Sequence, residues 1–249
     1  MKVAILGKIF KSEPTEYITK IISLLEKKKV SVFLEFEYFK SLKGFISESV
    51  SSFNELDKSF DLLISIGGDG TILKAITFVK DLSIPIVGVN TGRLGFLAKI
   101  QIENIELVIE EIILKNYSIS ERTLIEVSTS ETNQQLSKLN FALNEITLSR
   151  KNTTSMISID TKLDNKHLNS YWADGLIIST PTGSTGYSLS CGGPIIMPEA
   201  ENLIINPIAP HNLNARPLII PDSTEIKIKV NGRENEFLIS LDSRITTLS

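Results

Sequence analysis

An α/β domain followed by a β-rich, sandwich-like domain is the fold this sequence predicts. Three observations carry the prediction. Apolar runs of strand length alternate with helical stripes up to about residue 100, short β-like stretches separated by turn residues fill the remainder, and 249 residues suit one large or two modest domains. Hydrophobic residues at 42%, charged residues at 22% and a mean hydropathy of +0.10 fit an ordinary buried core, which argues against a disordered or membrane chain.

The elements follow in order. Val3 to Leu6 is a short apolar run and predicts a first strand. After Pro14, Ile18, Ile21, Ile22 and Leu25 recur at helical spacing before the charge cluster of Glu26 and Lys27 to Lys29, so a helix follows. Val30 to Phe36, β-branched and aromatic, predicts the next strand, and Asp61 to Ile66 (DLLISI) predicts a nearly continuous apolar one. Gly70 to Val79 reads as a helix and Ile84 to Val89 as another strand. Strands alternating with helices imply a parallel sheet with both faces covered, a Rossmann-like arrangement. Ile105, Val108, Ile109 and Ile112 make a last helical stripe. Beyond it, β-like stretches at 118–128, 141–148, 156–163, 175–179, 204–208, 218–220, 225–230 and 237–241 predict the sandwich. The boundary is placed near residue 100, giving an α/β domain over 1–100 and a β-rich domain over 101–249 whose last strands are candidates to return to the first.

Charge and cysteine content narrow the partners. Lys plus Arg is 26 against 29 for Asp plus Glu, a net charge of −3, which gives no reason to expect a nucleic acid and favours a small ligand or a protein. One cysteine, Cys191, forms no internal disulfide, and with two histidines it supplies no Cys/His zinc site, so a reducing cytoplasm is the expected setting. The apolar run before Lys8 and Lys11 is too short for a signal peptide, and no stretch of about 18 apolar residues exists to span a bilayer.

The strongest local feature is GGDGT, Gly67 to Thr71, placed directly after an apolar strand and directly before a helical pattern. Glycines there let the backbone approach a phosphate, and a helix N-terminus offers free N–H groups, so Gly67, Gly68, Gly70 and Thr71 are candidates for a phosphate loop. Asp69 is out of place in such a loop unless it accepts a proton from a nucleophile or holds a metal. An Asp-Gly turn with a helix cap is the plainer alternative. A second concentration, DGLIISTPTGSTGYSLSCGGP at 174–194, offers hydroxyls and bare backbone suited to a sugar or diphosphate, and its Tyr187 would stack on a base or fill core. Asn144 and Glu145 lie within an otherwise apolar strand, FALNEITL, where such a pair reads first as a solvated edge position. His211 and His167 read as structural or surface residues. No P-loop, G-x-G-x-x-G, G-x-S-x-G or H-E-x-x-H pattern is present.

GGDGT at 67–71, NTGRLGFLA at 90–98, NE at 144–145, the block at 174–194 and APHNLNARPLI at 209–219 together resemble the NAD kinase family, in order along the chain. GGDGT alone is shared with lipid kinases; the 174–194 block is the specific part. The resemblance implies transfer of the ATP γ-phosphate to the adenosine-ribose 2′-hydroxyl of NAD, giving NADP, with a divalent metal, Mg²⁺, carried by ATP. It implies that NAD lies in a crevice between the domains and that the protein is a homodimer or homotetramer.

By the same resemblance, Asp69 is the proton acceptor and Gly70 shares its turn. Lys74 lies near the NAD phosphates, Asn144 and Glu145 hold the adenosine ribose, and Asp174 meets the nicotinamide end. Thr185, Gly186, Tyr187, Ser188, Leu189 and Ser190 line the dinucleotide, and Ala209 touches it. No residue is assigned as a metal ligand. The alternatives are a lipid kinase built on the same turn, and a non-catalytic dinucleotide sensor, which would gain nothing from Asp69 beside phosphate. ATP and inorganic polyphosphate both remain open as donors. Gly186 stands where the family commonly has Ala, Arg244 where it often has Gln, and the sequence given stops at Ser249 where many relatives continue.

Overall fold

The structure, a computed structural model, describes residues 1–7, 16–130, 133–152, 155–233 and 236–248; Lys8, Lys11, Pro14 and Ser249 lie outside them. The chain packs into two compact units, Met1–Ile119 and Ser120–Ser249.

The first unit is a six-stranded parallel sheet: β1 (Lys2–Gly7), β2 (Ser31–Glu35), β3 (Ser51–Phe53), β4 (Leu62–Ile66), β5 (Ile86–Asn90) and β6 (Ile100–Gln101), in the order β3-β2-β1-β4-β5-β6. The strand order reverses between β1 and β4, so the carboxyl end of β4 lies at the switch point where such sheets bind ligands. Helices α1 (Glu16–Lys27), α2 (Phe36–Ser41), α3 (Asp69–Val79) and α4 (Ile105–Ile113) cover it. Alternating side chains of each strand enter two cores. Val3, Ile5, Leu62 and Ile64 meet Ile18, Ile21, Ile22 and Leu25 of α1 and Ile105, Ile109 and Ile112 of α4. Ala4, Leu6 and Leu63 meet Ala75 and Val79 of α3. Burial on both faces is why β1 and β4 read as unbroken apolar runs. The texture of the sequence changes near residue 100, but α4 buries its isoleucines against this sheet, and the first unit therefore runs on to Ile119.

Leu63 is fully buried. We expect Leu63→Ala to cost about 2–5 kcal/mol by leaving a cavity under α3. Equilibrium urea denaturation checks this; a loss below about 1 kcal/mol would mean that the core closes around the gap.

The second unit holds β7 (Ile125–Glu126), β8 (Phe141–Ala142), β9 (Glu145–Arg150), β10 (Ile157–Leu163), β11 (Lys166–Ala173), β12 (Gly175–Ser179), the short α5 (Tyr187–Ser190), β13 (Asn202–Ile208), β14 (Leu218–Pro221), β15 (Ile226–Asn231), β16 (Phe237–Leu241) and β17 (Arg244–Leu248). A six-stranded antiparallel sheet runs β14-β13-β12-β9-β16-β17, and a three-stranded one runs β11-β10-β15. Ile157, Ile159, Tyr171 and Ala173 of the smaller sheet pack on Leu176, Ile178, Leu203 and Ile205 of the larger, which is the sandwich the patterning predicts. Only Ile125 and Glu126 of the stretch 118–128 form a strand.

Candidate functional site

In the first unit, the turn after β4 carries the GGDGT residues. Gly67 has φ +140°, and a Cβ there would sit 2.4 Å from the Thr71 hydroxyl, so only glycine lets the chain turn from strand into helix at this point. Gly68 is the N-cap of α3 and provides no side-chain cap, which leaves first-turn N–H groups without that partner at the positive end of the helix. A Cβ on Gly68 or Gly70 would meet no described atom within 4 Å.

Asp69, half-buried, does not point into solvent. Its Oδ1 accepts hydrogen bonds from the main-chain N–H groups of Leu97 (2.9 Å) and Ala98 (3.0 Å), and its Oδ2 accepts one from Phe96 (2.9 Å). A carboxylate offers about four acceptor sites, so three bonds leave one, on Oδ2. The loop that donates them is itself braced by Asn90, whose Nδ2 donates to the carbonyls of Arg93 (2.7 Å) and Ala98 (3.3 Å). Gly95 lies directly against the acid: a Cβ there would fall 2.2 Å from Asp69 Oδ1. Sequence reasoning marked NTGRLGFLA as a motif without seeing that it is the seat of Asp69. Lys74, one turn along α3, places its ammonium 3.1 Å from Glu35 Oε1, while Glu35 Oε2 accepts from the Tyr38 N–H and caps α2.

In the second unit, Asn144 and Glu145 lie at a break between β8 and β9. Asn144 is in the break and Glu145 begins β9, a strand flanked by β12 and β16. The solvated-edge reading of this pair is therefore corrected: β9 is interior and Glu145 is 8% exposed. The break is held by Asp242, whose Oδ2 accepts from Leu143 N–H (3.0 Å) and whose Oδ1 accepts from Asn144 (2.8 Å) and Glu145 (3.3 Å). Asn144 Oδ1 and Glu145 Oε2 are buried without a hydrogen-bond partner among the described residues. Burial, and then the nearby Asp242 carboxylate, push the Glu145 acid up from 4.5 to about 7, against the opposing pull of the Tyr187 N–H.

This raised value has a consequence for stability. A carboxyl group that holds its proton longer when folded favours the fold fully below pH 4.5, and that contribution drains away as pH rises towards about 7, by about 3 kcal/mol. Denaturation at pH 5 and pH 8 should show this difference, and Glu145→Gln should remove most of it. An equal difference in both proteins would mean that other groups cause it.

The 174–194 block packs on the same spot. Thr180 N–H donates to the Asn144 carbonyl (2.9 Å), and a Cβ on Gly183 would lie 2.1 Å from that oxygen. A Cβ on Gly186 would lie 3.1 Å from Glu145 Oε2 and 3.8 Å from Asn144 Nδ2. Ser188 is buried and its carbonyl accepts from Asn206 Nδ2 (2.9 Å), whereas Thr185 and Gly186 are partly exposed and Tyr187, Leu189 and Ser190 are exposed. Asp174, at the far end of β12, is about 17 Å along the sheet from Glu145 at the usual strand rise, and it pairs with Arg150 at 2.9 Å. Burial first, then Cys191 and last the Asp174 charge raise the Tyr187 phenol. Ala209, at φ +45°, is exposed just beyond β13. Arg244 donates to the carbonyls of Leu139 and Phe141 and so braces β8. Burial pushes the Cys191 thiol up, away from a reactive thiolate.

Asn144, Glu145 and the 180–188 segment are thus brought together in one unit, and the Asp69 turn is built within the other. Asp242, Gly95, Glu35 and Arg150 escaped sequence reasoning. Among the described residues, no group of three or more His, Cys, Asp or Glu side chains is gathered to hold a metal. A partly open cavity of about 710 Å³ in the second unit is lined by aliphatic side chains such as Ile146, Leu148 and Ile239 together with polar ones such as Thr129, Glu225 and Lys227, and contains none of the motif residues apart from Ile178 of β12.

Comparison with known proteins bears on the family and the fold. The ATP-NAD kinase N-terminal domain matches residues 4–117 and the ATP-NAD kinase C-terminal domain matches residues 143–248. NAD kinases of Flavobacterium psychrophilum and Christiangramia forsetii are 53% and 54% identical over 253 residues, covering 100% of this chain and 86% of each relative. Among solved structures, yeast NADH kinase complexed with NADH superposes with a TM-score of 0.86 at 27% identity, covering 98% of this chain and 76% of that one. An NAD kinase from Archaeoglobus fulgidus in complex with ATP gives 0.76 at 25% identity, covering 100% and 86%.

Proposed function

The chain belongs to the ATP-NAD kinase family, and from that premise we propose that it phosphorylates the 2′-hydroxyl of the adenosine ribose of NAD with ATP, yielding NADP and ADP. One bond forms between the ribose oxygen and the γ-phosphorus, the bridging P–O bond to the β-phosphate breaks, and the hydroxyl proton passes to Asp69. Such a transfer needs alignment, a base and charge neutralisation more than covalent help from the protein.

The observation that carries the residue assignment is the one acceptor site left on Asp69 Oδ2, held in place by the three N–H bonds. A base that is fixed and not fully satisfied suits an alcohol donor. Of the loop's main-chain amides, Gly67 N–H already donates to the Val89 carbonyl (2.8 Å) and Thr71 N–H to the Gly68 carbonyl (2.9 Å), so those of Gly68 and Gly70, at the positive end of α3, are the ones that would face the transferring phosphate, with Lys74 one turn further on. Asn144 and Glu145, each with an unpartnered buried oxygen, suit the ribose hydroxyls of NAD. Thr185 to Ser190 would line the dinucleotide, Asp174 would take its nicotinamide end, and Ala209 would touch it.

Mg²⁺ enters with ATP as part of the substrate. A cytoplasmic setting, which rests on the single cysteine, and self-assembly as a homodimer or homotetramer, which rests on the family resemblance, belong to the same proposal; among the described residues no helix is long and apolar enough to cross a membrane.

The test is a turnover assay with NAD and MgATP, read both as ADP release and with a dehydrogenase that accepts only NADP. Parallel arms replace ATP by polyphosphate, NAD by NADH, and NAD by diacylglycerol or a sphingoid base. NADP formation is expected from NAD and ATP. Tight NAD binding with no ADP released would instead mark a sensor, and turnover confined to the lipid arm a lipid kinase.

A further inference from the structure

Asp242 occupies the turn between β16 and β17 with φ +54°, the left-handed region, and is joined to the Asn144–Glu145 break in both directions. Its carboxylate accepts from three consecutive N–H groups, those of Leu143, Asn144 and Glu145, and its own N–H donates to the Glu145 carbonyl at 3.0 Å. Its carbonyl in turn accepts from the Ser240 hydroxyl at 2.8 Å. The strain of the left-handed backbone is tolerated best by Asp, Asn and Gly, and of these only Asp brings enough acceptors for three amides. Removing those acceptors would leave main-chain donors at the break unsatisfied, and the break would relax.

We propose that Asp242 is a positioning residue for dinucleotide recognition, fixing through three main-chain N–H bonds the turn that aims Asn144 and Glu145. The inference rests on the NAD kinase reading of that site. It acts in two ways. The turn sets where the two side chains point, and the Asp242 charge sets how readily Glu145 gives up its proton. The groups facing Glu145 are Asp242 from the β16–β17 turn, the Tyr187 N–H from α5, and Gly186. Ribose hydroxyls donate to the carboxylate, so dinucleotide binds better as Glu145 ionises, and affinity should rise as pH increases through about 7.

The test uses the full chain with Asp242→Asn and Asp242→Gly, both compatible with the left-handed backbone. Each should raise the KM for NAD about tenfold and leave kcat within about threefold. In Asp242→Asn, which removes the charge next to Glu145, the inflection in KM against pH should also move to lower pH, while Glu145→Gln should show none. A merely structural role would lower the unfolding temperature and leave that inflection in place. Calorimetric NAD titrations of all four proteins, repeated across pH, read the same quantities without turnover. If the parent binds NAD but makes no NADP, the function fails and the positioning role is still decided by these titrations. Unchanged affinity in both Asp242 variants, or an unmoved inflection in Asp242→Asn, overturns the inference.

Discussion

Asp69→Asn should lower kcat by about 100-fold or more while leaving the KM for NAD within about threefold, because removing a general base strips transition-state stabilisation and leaves ground-state binding largely alone. Asn keeps one acceptor oxygen. Oriented to satisfy Leu97 and Ala98, it turns its NH₂ towards the Phe96 N–H, which sets donor against donor where a carboxylate oxygen now accepts at 2.9 Å. The mismatch should cost about 1–3 kcal/mol of stability as well. Unfolding and turnover are therefore measured together, at a temperature where the variant stays folded. NADP formation surviving within about tenfold of the parent would remove Asp69 from the chemistry.

Asp69 and Asp242 are the same device used twice. Each carboxylate accepts three consecutive main-chain N–H groups, from 96–98 in one case and 143–145 in the other; the first bonds hold the acid itself in its seat, and the second hold the stretch that carries Asn144 and Glu145. Only the first was legible in the sequence. Asp69 stands between glycines directly after an apolar strand, a position whose chemistry is local and readable. Asp242 lies in LDSR, where an Asp reads as an ordinary hairpin turn. Its partners are about a hundred residues away, and no periodicity links them.

The parallel sheet was legible for a related reason. Strands buried on both faces leave unbroken apolar runs, so β1, β4 and β5 are visible one at a time. Sheet order is not written in any single strand. Glu145 looks like a solvated edge residue until β12 and β16 are seen on either side of it. Helix α2 was hidden because the aromatic run continues through Phe36, while the chain turns helical where Glu35 caps the Tyr38 N–H. Strands β11 and β17 carry mixed polar and apolar residues, and what defines them is pairing with β10 and β16.

Gly95→Ala should come close to Asp69→Asn in its loss of kcat, about 100-fold, although the added methyl group has no chemistry of its own. The new Cβ would sit 2.2 Å from Asp69 Oδ1 and 2.6 Å from Cγ, well inside any van der Waals contact. Neither side has an easy escape. The carboxylate is held by three amides, and the loop that donates them is held by Asn90. Either the acid leaves its seat or the seat moves, and in both cases Oδ2 no longer presents its free acceptor site where the hydroxyl would be. A displacement of about 1 Å at a reacting group is enough for a loss of this size. Gly92→Ala is the matched control. It lies in the same loop, and a Cβ there would meet no described atom within 4 Å, so its kcat should stay within about threefold of the parent. Because both changes act on one carboxylate, Asp69→Asn combined with Gly95→Ala should be little worse than either alone. Losses that multiply in the double variant would mean that Gly95 serves the reaction by a route independent of Asp69, and a Gly95→Ala enzyme with parental kcat would show that the acid works without its fixed seat.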